Sequence, residues 1–336
     1  MGRKKFFPLA IGAYLSHYES ERPVDWTGRF GNAHPLDLEI GSGLGEFLVR
    51  NAVAHPERNF VGIEQEWERV KKFLRRIEYA RRDGADAAAN IRVLQVDATV
   101  ALERLFKPSS IDRIYCLFPC PWPKKGHIKH RLFSSRFLRL VNNRLCERGD
   151  VQIVTDFLPY RDWVLEQIDG TGFDADARTV QPRFGTKFER KWHAQGQREF
   201  HEIILKKTAH LEFPVKEDIE LKIYFAPEFD PQQFRFEEMT GEVTVVMKEF
   251  LYDRDRRKAM VHLVAAEENI AQHVWVTVAK TSRGWRIAKA EGQTVLPTQS
   301  VAKAINLVYQ AVVRSRQVVS NAEHASNEAV NDEEMG

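Results

Sequence analysis

The chain has 336 residues, 43% of them hydrophobic, enough to bury one large core or two moderate ones, and the length favours two domains. A net charge of +3 excludes binding of nucleic acid through bulk charge, so any such surface is local. The only cysteines, Cys116, Cys120 and Cys146, are too few for a disulfide framework or a four-cysteine zinc site; they fit a reducing cytosol, and no metal is expected.

In chain order, the opening MGRKKFFPLAIGAYLSHY places basic residues before an apolar run, as a signal peptide does. Pro8, Gly12 and the missing small-x-small cleavage site argue against export, and Phe6 occupies the position where myristoylation needs Ser or Thr. No apolar stretch approaches the roughly 20 residues that span a bilayer. Residues 1–36 therefore read as a basic amino-terminal segment of a soluble, cytoplasmic protein.

From 37 to 207, short apolar runs alternate with helical patterns: LDLEI, an amphipathic stretch from Glu46 to Ala54, NFVGIE, a helix from about Glu66 to Arg82, then IRVLQVDA, SIDRIYCLF and VQIVTDF. Repeated βα units of this kind predict an α/β domain with a mostly parallel sheet and ligands at the carboxyl ends of its strands. Between 208 and 320 the pattern changes to alternating β-branched and aromatic runs, IELKIYF, GEVTVVMKEF, MVHLVAA, HVWVTVAK and GWRIAKA, closed by an amphipathic helix from about Ser300 to Val319. This predicts a small α+β domain. Residues 321–336 are acidic, lack an apolar pattern and read as a disordered tail.

The chemistry concentrates in the first domain. Glu39-Ile40-Gly41-Ser42-Gly43-Leu44-Gly45 follows a strand and opens a helix, and glycines such as Gly41 and Gly43 let the backbone approach a ligand. Glu64 ends NFVGIE and Asp97 ends VLQVDA, so both acids fall at the same sheet edge. A carboxylate after the second strand suits ribose hydroxyls, and one after the third suits an adenine amino group; either also serves as an ordinary cap. The loop lacks G-x-G-x-x-G spacing and carries Glu39, an acid that repels a pyrophosphate but favours ammonium and sulfonium charge. S-adenosylmethionine is thus the expected cofactor.

SIDRIYCLF runs into FPCPWPKKGHIKHR, where three prolines hold Cys120 and Trp122 with little conformational freedom at the carboxyl end of the fourth strand. Eight Lys or Arg against one acid lie between Pro121 and Arg148, and seven against two between Trp67 and Arg82, which gives a basic track starting at the cofactor edge. Trp122 either stacks on a base turned out of its helix or packs under the loop. Near the end of the domain, RFGTKFERKW lies beyond the last helical pattern.

These residues together resemble the bacterial tRNA (guanine-N7)-methyltransferases: the Glu39–Gly45 loop, NFVGIE, the Asp97 strand, the proline-rich signature, VTDF and TKFE, over about 37–207. The resemblance implies a Rossmann-like class I methyltransferase that methylates N7 of the variable-loop guanine, position 46, with tRNA as partner and no membrane or metal. It implies cofactor contacts at Glu39, Glu64 and Asp97, and substrate contacts at Lys124, Asp156, Thr186, Lys187, Phe188 and Glu189. The family's Phe-Pro-Asp-Pro-Trp-Pro-Lys-Lys carries an acid that touches the cofactor and is catalytic, and here Cys120 stands in its place. Guanine N7 has an available lone pair and needs no base, so loss of that acid is expected to slow the reaction, by about 100- to 1,000-fold, rather than abolish it. Asp156 and Glu189 are expected to compensate from the same pocket, or Cys120 as a thiolate beside Lys124 and Lys125. The alternative is a silent tRNA-binding protein on the same frame. The appended domain is expected to modulate tRNA engagement.

Overall fold

A computed structural model describes residues 8–82, 84 and 87–315. The chain divides into two compact units, 1–217 and 218–336. The boundary falls after Glu217 rather than near Lys207 because the intervening segment is held by the first unit. Asn142 Nδ2 donates to the Ala209 carbonyl at 2.9 Å, Asn143 Nδ2 to that of Leu211 at 2.8 Å, and Arg144 Nη2 to that of Pro214 at 3.3 Å.

The first unit is built on eight strands: β1 (Tyr14–Leu15), β2 (Leu36–Ile40), β3 (Asn59–Glu64), β4 (Ile91–Gln95), β5 (Ile111–Leu117), β6 (Leu145–Thr155), β7 (Phe173–Val180) and β8 (Phe200–Lys207). Their order is β1-β4-β3-β2-β5-β6-β8-β7. All pairings are parallel except those of β8, which runs antiparallel between β6 and β7. Every residue of β2 and β3 is buried, as helices on both faces of a parallel sheet require, and burying each Leu, Ile or Phe there contributes roughly 1.5–3 kcal/mol. Part of the segment read as a basic amino terminus belongs to this sheet: Leu15 pairs with Leu94, and Ala10, Ala13, Val24 and Trp26 are buried.

The connecting helices are α1 (Trp26–Phe30), α2 (Glu46–Ala54), α3 (Trp67–Ala80), α4 (Ala98–Arg104), α5 (Ser135–Arg144), α6 (Leu158–Glu166) and α7 (Lys187–Ala194). Several start on a side-chain cap: Asp97 Oδ1 accepts from the Thr99 and Val100 amides at α4, and Ser134 Oγ from the Phe137 amide at α5. Gly45 opens α2 with a φ of 69°, and a Cβ there would lie 2.0 Å from the Phe73 ring, so conformation and packing both demand glycine.

The second unit is a five-stranded antiparallel sheet of β9 (Tyr224–Ala226), β10 (Val243–Asp253), β11 (Lys258–Glu267), β12 (Ile270–Thr281) and β13 (Gly284–Lys289), in the order β10-β11-β12-β13-β9. Alternate residues such as Val261, Leu263, Val274 and Val276 bury one face in a core shared with Val301, Ile305, Val308 and Val312 of a helix over 299–315. IELKIYF yields only the short edge strand β9. The continuation of the expected helix to Val319 and the acidic tail lie outside the described residues.

Candidate active site

The carboxyl ends of β2, β3, β4, β5 and β6 carry, in turn, the glycine loop, Glu64, Asp97, the proline loop and Asp156, so parallel pairing brings the sequence-derived candidates to one edge. A cavity beside β2 is lined by Glu39, Gly41, Ser42, Gly43, Phe47 and Leu117, and also by Thr186, Lys187 and Phe188. The TKFE segment thereby joins the glycine loop. It is not a turn beyond the helices but the start of α7: Thr186 is the cap, its Oγ1 accepting from the Glu189 amide at 3.2 Å.

Glu46, not among the sequence-derived candidates, holds the two helix starts together. Its Oε2 accepts from the Lys187 amide at 2.5 Å, and its Oε1 pairs with Arg190 at 2.7 Å and Arg76 at 3.3 Å. Its sequence signal is its place as the first residue of α2, where an acid suits the helix dipole. Glu189, expected at the substrate, is 3% exposed and accepts from the amides of Arg183 at 2.6 Å, Phe184 at 2.9 Å and Gly185. Its carboxylate is engaged in folding the 183–185 turn.

Glu39 is 3% exposed, and its Oε2 is buried without a hydrogen-bond partner among the described residues. Burial pushes its carboxyl well above the usual range; the Arg50 cation pulls it back and the Glu64 charge adds to the rise. Glu64 is organised instead: its Oε2 accepts from the Gly43 amide and its Oε1 from the Glu66 amide, both at 3.0 Å. Asp97 is engaged on both oxygens, capping α4 through Oδ1 and accepting from Gln65 Nε2 at 2.7 Å through Oδ2.

At the other side of the edge, Cys120 and Lys124 are exposed, on the loop between β5 and a 3-10 turn at Lys125–His130. The loop backbone is strained: Phe118 has φ 58° and Trp122 φ 43°, a region that bulky residues rarely enter. The Trp122 ring contacts those of His127 at 5.6 Å and His130 at 5.2 Å between centroids, so in this structure it packs within its own segment. Asp156 is half-buried, and burial raises its carboxyl above the usual range while His201 and Lys191 oppose the rise. Among the described residues, no group of three or more His, Cys, Asp or Glu is placed to hold a metal, and no helix is long and apolar enough to cross a membrane.

The residues fit S-adenosylmethionine. A buried carboxylate oxygen with no partner lines the cavity, ready for a cationic donor, and a Cβ added at Gly41 would meet nothing within 4 Å, so the loop leaves room there. A parallel α/β sheet with one antiparallel strand, a glycine loop after β2 and acids after β3 and β4 defines a Rossmann-like methyltransferase that uses S-adenosylmethionine as cosubstrate.

Comparison with known proteins gives the particular family. A family model described as a putative methyltransferase matches residues 33–202. A tRNA (guanine-N(7)-)-methyltransferase of Chlorobium phaeobacteroides is 43% identical over 181 residues, covering 54% of this chain and 86% of the relative. Proteins of the same description from Thermotoga maritima and Cutibacterium acnes are each 35% identical, with 56% and 64% of their own lengths covered. Among solved structures, the 16S rRNA methyltransferase KamB aligns over 52% of this chain and 88% of its own at a TM-score of 0.40 and 15% identity. The chain belongs to the tRNA (guanine-N(7)-)-methyltransferase family.

Proposed function

We propose that this enzyme transfers a methyl group to N7 of guanine 46 in the variable loop of tRNA, in the cytoplasm. The observation that carries the reading is the single sheet edge that gathers the glycine loop, Glu64, Asp97, the proline loop and Asp156, in a chain 43% identical to a tRNA (guanine-N(7)-)-methyltransferase. S-adenosylmethionine supplies an electrophilic methyl on a sulfonium.

The chain's own residues bind and orient. Glu39, with Gly41 and Gly43, receives the cationic end of the cofactor, and Glu64 and Asp97, already fixed by backbone and Gln65 donors, present their remaining lone pairs to the ribose and adenine. Thr186, Lys187 and Phe188 bring a hydroxyl, a cation and an exposed ring to the cavity, suited to a base edge and a phosphate. Lys124 and the basic faces of α3 and the 3-10 turn carry backbone phosphates.

Asp156 is the acid that favours positive charge arriving on the purine, because Cys120 has no carboxylate to do so. Its raised carboxyl reflects a half-buried setting in which a developing cation is felt strongly. Labelled methyl transfer to unmodified bulk tRNA tests this directly. Wild type is expected to yield 7-methylguanine at position 46, Asp156→Ala to be slower by about 100- to 1,000-fold, and Cys120→Asp to be faster than wild type. Absence of 7-methylguanine from the wild-type digest would end the proposal.

A further inference from the structure

The proline loop has few backbone donors with which to hold its own shape. Pro119, Pro121 and Pro123 have no N–H, so within 119–123 only Cys120 and Trp122 offer backbone donors to tie the loop together. Strained φ values at Phe118 and Trp122, each costing on the order of 1–3 kcal/mol, persist only where surrounding groups over-determine them. On the strand side the restraint is visible: the Phe118 amide donates to the Val154 carbonyl at 2.7 Å, and its ring meets Phe200 edge-on at 5.1 Å. At the far side Arg131 contributes it.

Arg131 is 7% exposed, unusually deep for a cation in a run of exposed basic residues. Its Nε donates to the Pro121 carbonyl at 2.9 Å and its Nη2 reaches the Trp122 carbonyl at 3.5 Å. Its guanidinium also sits over two rings of α6, Tyr160 at 5.6 Å and Trp163 at 5.2 Å from the centroids. Asp156 directly follows β6 and lies two residues before α6 begins. One planar group thus ties the loop of Cys120 to the helix that follows Asp156.

We infer that Arg131 is a positioning residue that sets the spacing between the proline loop and Asp156, holding the loop in its strained form. It touches neither cofactor nor base and does not act as a phosphate ligand, unlike the exposed cations around it. The inference rests on the proposed guanine-N7 activity for its catalytic consequence, but its structural half stands apart from that activity. Lys in its place keeps a charge over the rings yet lacks the two-pronged fork that engages adjacent carbonyls.

Cys120 is an exposed thiol in the loop, Cys116 is buried and Cys146 half-buried, so thiol labelling reports the loop without any turnover. In a Cys146→Ser background, Arg131→Lys and Arg131→Ala are each compared with Arg131 for the labelling rate of Cys120, equilibrium affinity for S-adenosylmethionine, and kcat and KM on tRNA. We expect the labelling rate to change at least threefold, cofactor affinity to stay within twofold, and kcat to fall about 10- to 100-fold with KM little changed, since a displacement on the order of 1 Å costs about 100-fold. Added guanidinium is expected to restore part of the kcat of Arg131→Ala and the original labelling rate.

A KM rise with unchanged kcat and unchanged labelling would make Arg131 a phosphate ligand and overturn the inference. A parallel fall of cofactor affinity, Tm and kcat in both variants would make it a general core residue, with the same consequence. If wild type itself transfers no methyl group, the proposed activity falls while the labelling result still decides whether Arg131 holds the loop.

Discussion

Glu39 shows how a site residue is recognised by what it lacks. A fully buried carboxylate with one oxygen unpartnered destabilises the fold as an anion, a setting that marks Glu39 as a candidate for binding a cationic group. The sign of its pH dependence follows. Its folded pKa lies above the unfolded value, so the protonated form is favoured by folding; the apo protein gains stability as pH falls through the raised pKa and loses it as pH rises. Cofactor binding runs the other way, because the ammonium and sulfonium favour the ionised acid. Glu39→Gln is therefore expected to raise the apo Tm at neutral pH, weaken S-adenosylmethionine by about 10- to 100-fold, and flatten the rise of affinity with pH; a thermal melt checks the first, and titration calorimetry as a function of pH the other two. Sequence made Glu39 legible because its place in a glycine loop after an apolar strand is itself a spacing signal. Arg131 was not legible, since among eight cations between Pro121 and Arg148 nothing but the fold distinguishes the two that are buried, Arg131 and Arg144.

At the scale of elements, the long strands were readable because parallel strands covered on both faces are continuous apolar runs, as in NFVGIE. Two-residue β1 carries no periodicity at all, and its pairing with β4 depends on neighbours distant in sequence. IELKIYF alternates over its whole length, yet a strand exists only where a partner runs alongside, and β13 accompanies it only at Tyr224–Ala226. α7 is hidden for a different reason: half of its eight residues are charged, and the readable signal is the pair Thr186 and Glu189 three apart at its start. That pair differs from a reciprocal capping box, because Glu189 reaches past the cap to the amides of 183–185. Glu189→Ala, which strips three backbone donors of their acceptor, is expected to lower stability by about 3 kcal/mol in urea unfolding and to raise the tRNA KM more than the cofactor Kd. If stability is unchanged while kcat collapses, Glu189 belongs to the substrate after all.

For the whole molecule, every candidate residue of the active site lies within 1–217, so the second unit is not required to build it. The segment after β8 is another matter. Arg144 has no solvent exposure, and burial lowers its pKa to about 10, opposed by the Glu103 charge. Its Nε donates to the Leu102 carbonyl at 2.7 Å, and its remaining donors reach the carbonyls of Phe213 and Pro214, both at 3.3 Å. A buried cation satisfied largely by carbonyls becomes costly when those are removed, since each lost bond leaves a charged donor unpaired at about 1–3 kcal/mol. Truncation after Glu217 is accordingly expected to leave a folded protein that binds S-adenosylmethionine with unchanged Kd, whereas truncation after Lys207 exposes Asn142, Asn143 and Arg144 together and lowers Tm by 10 °C or more, on the order of a few kcal/mol. Comparing tRNA KM for the full chain and the 1–217 form then isolates what the second unit adds. A KM ratio near one would show that its sheet and helix serve something other than tRNA engagement, and a severalfold rise would give the appended unit its role on the substrate.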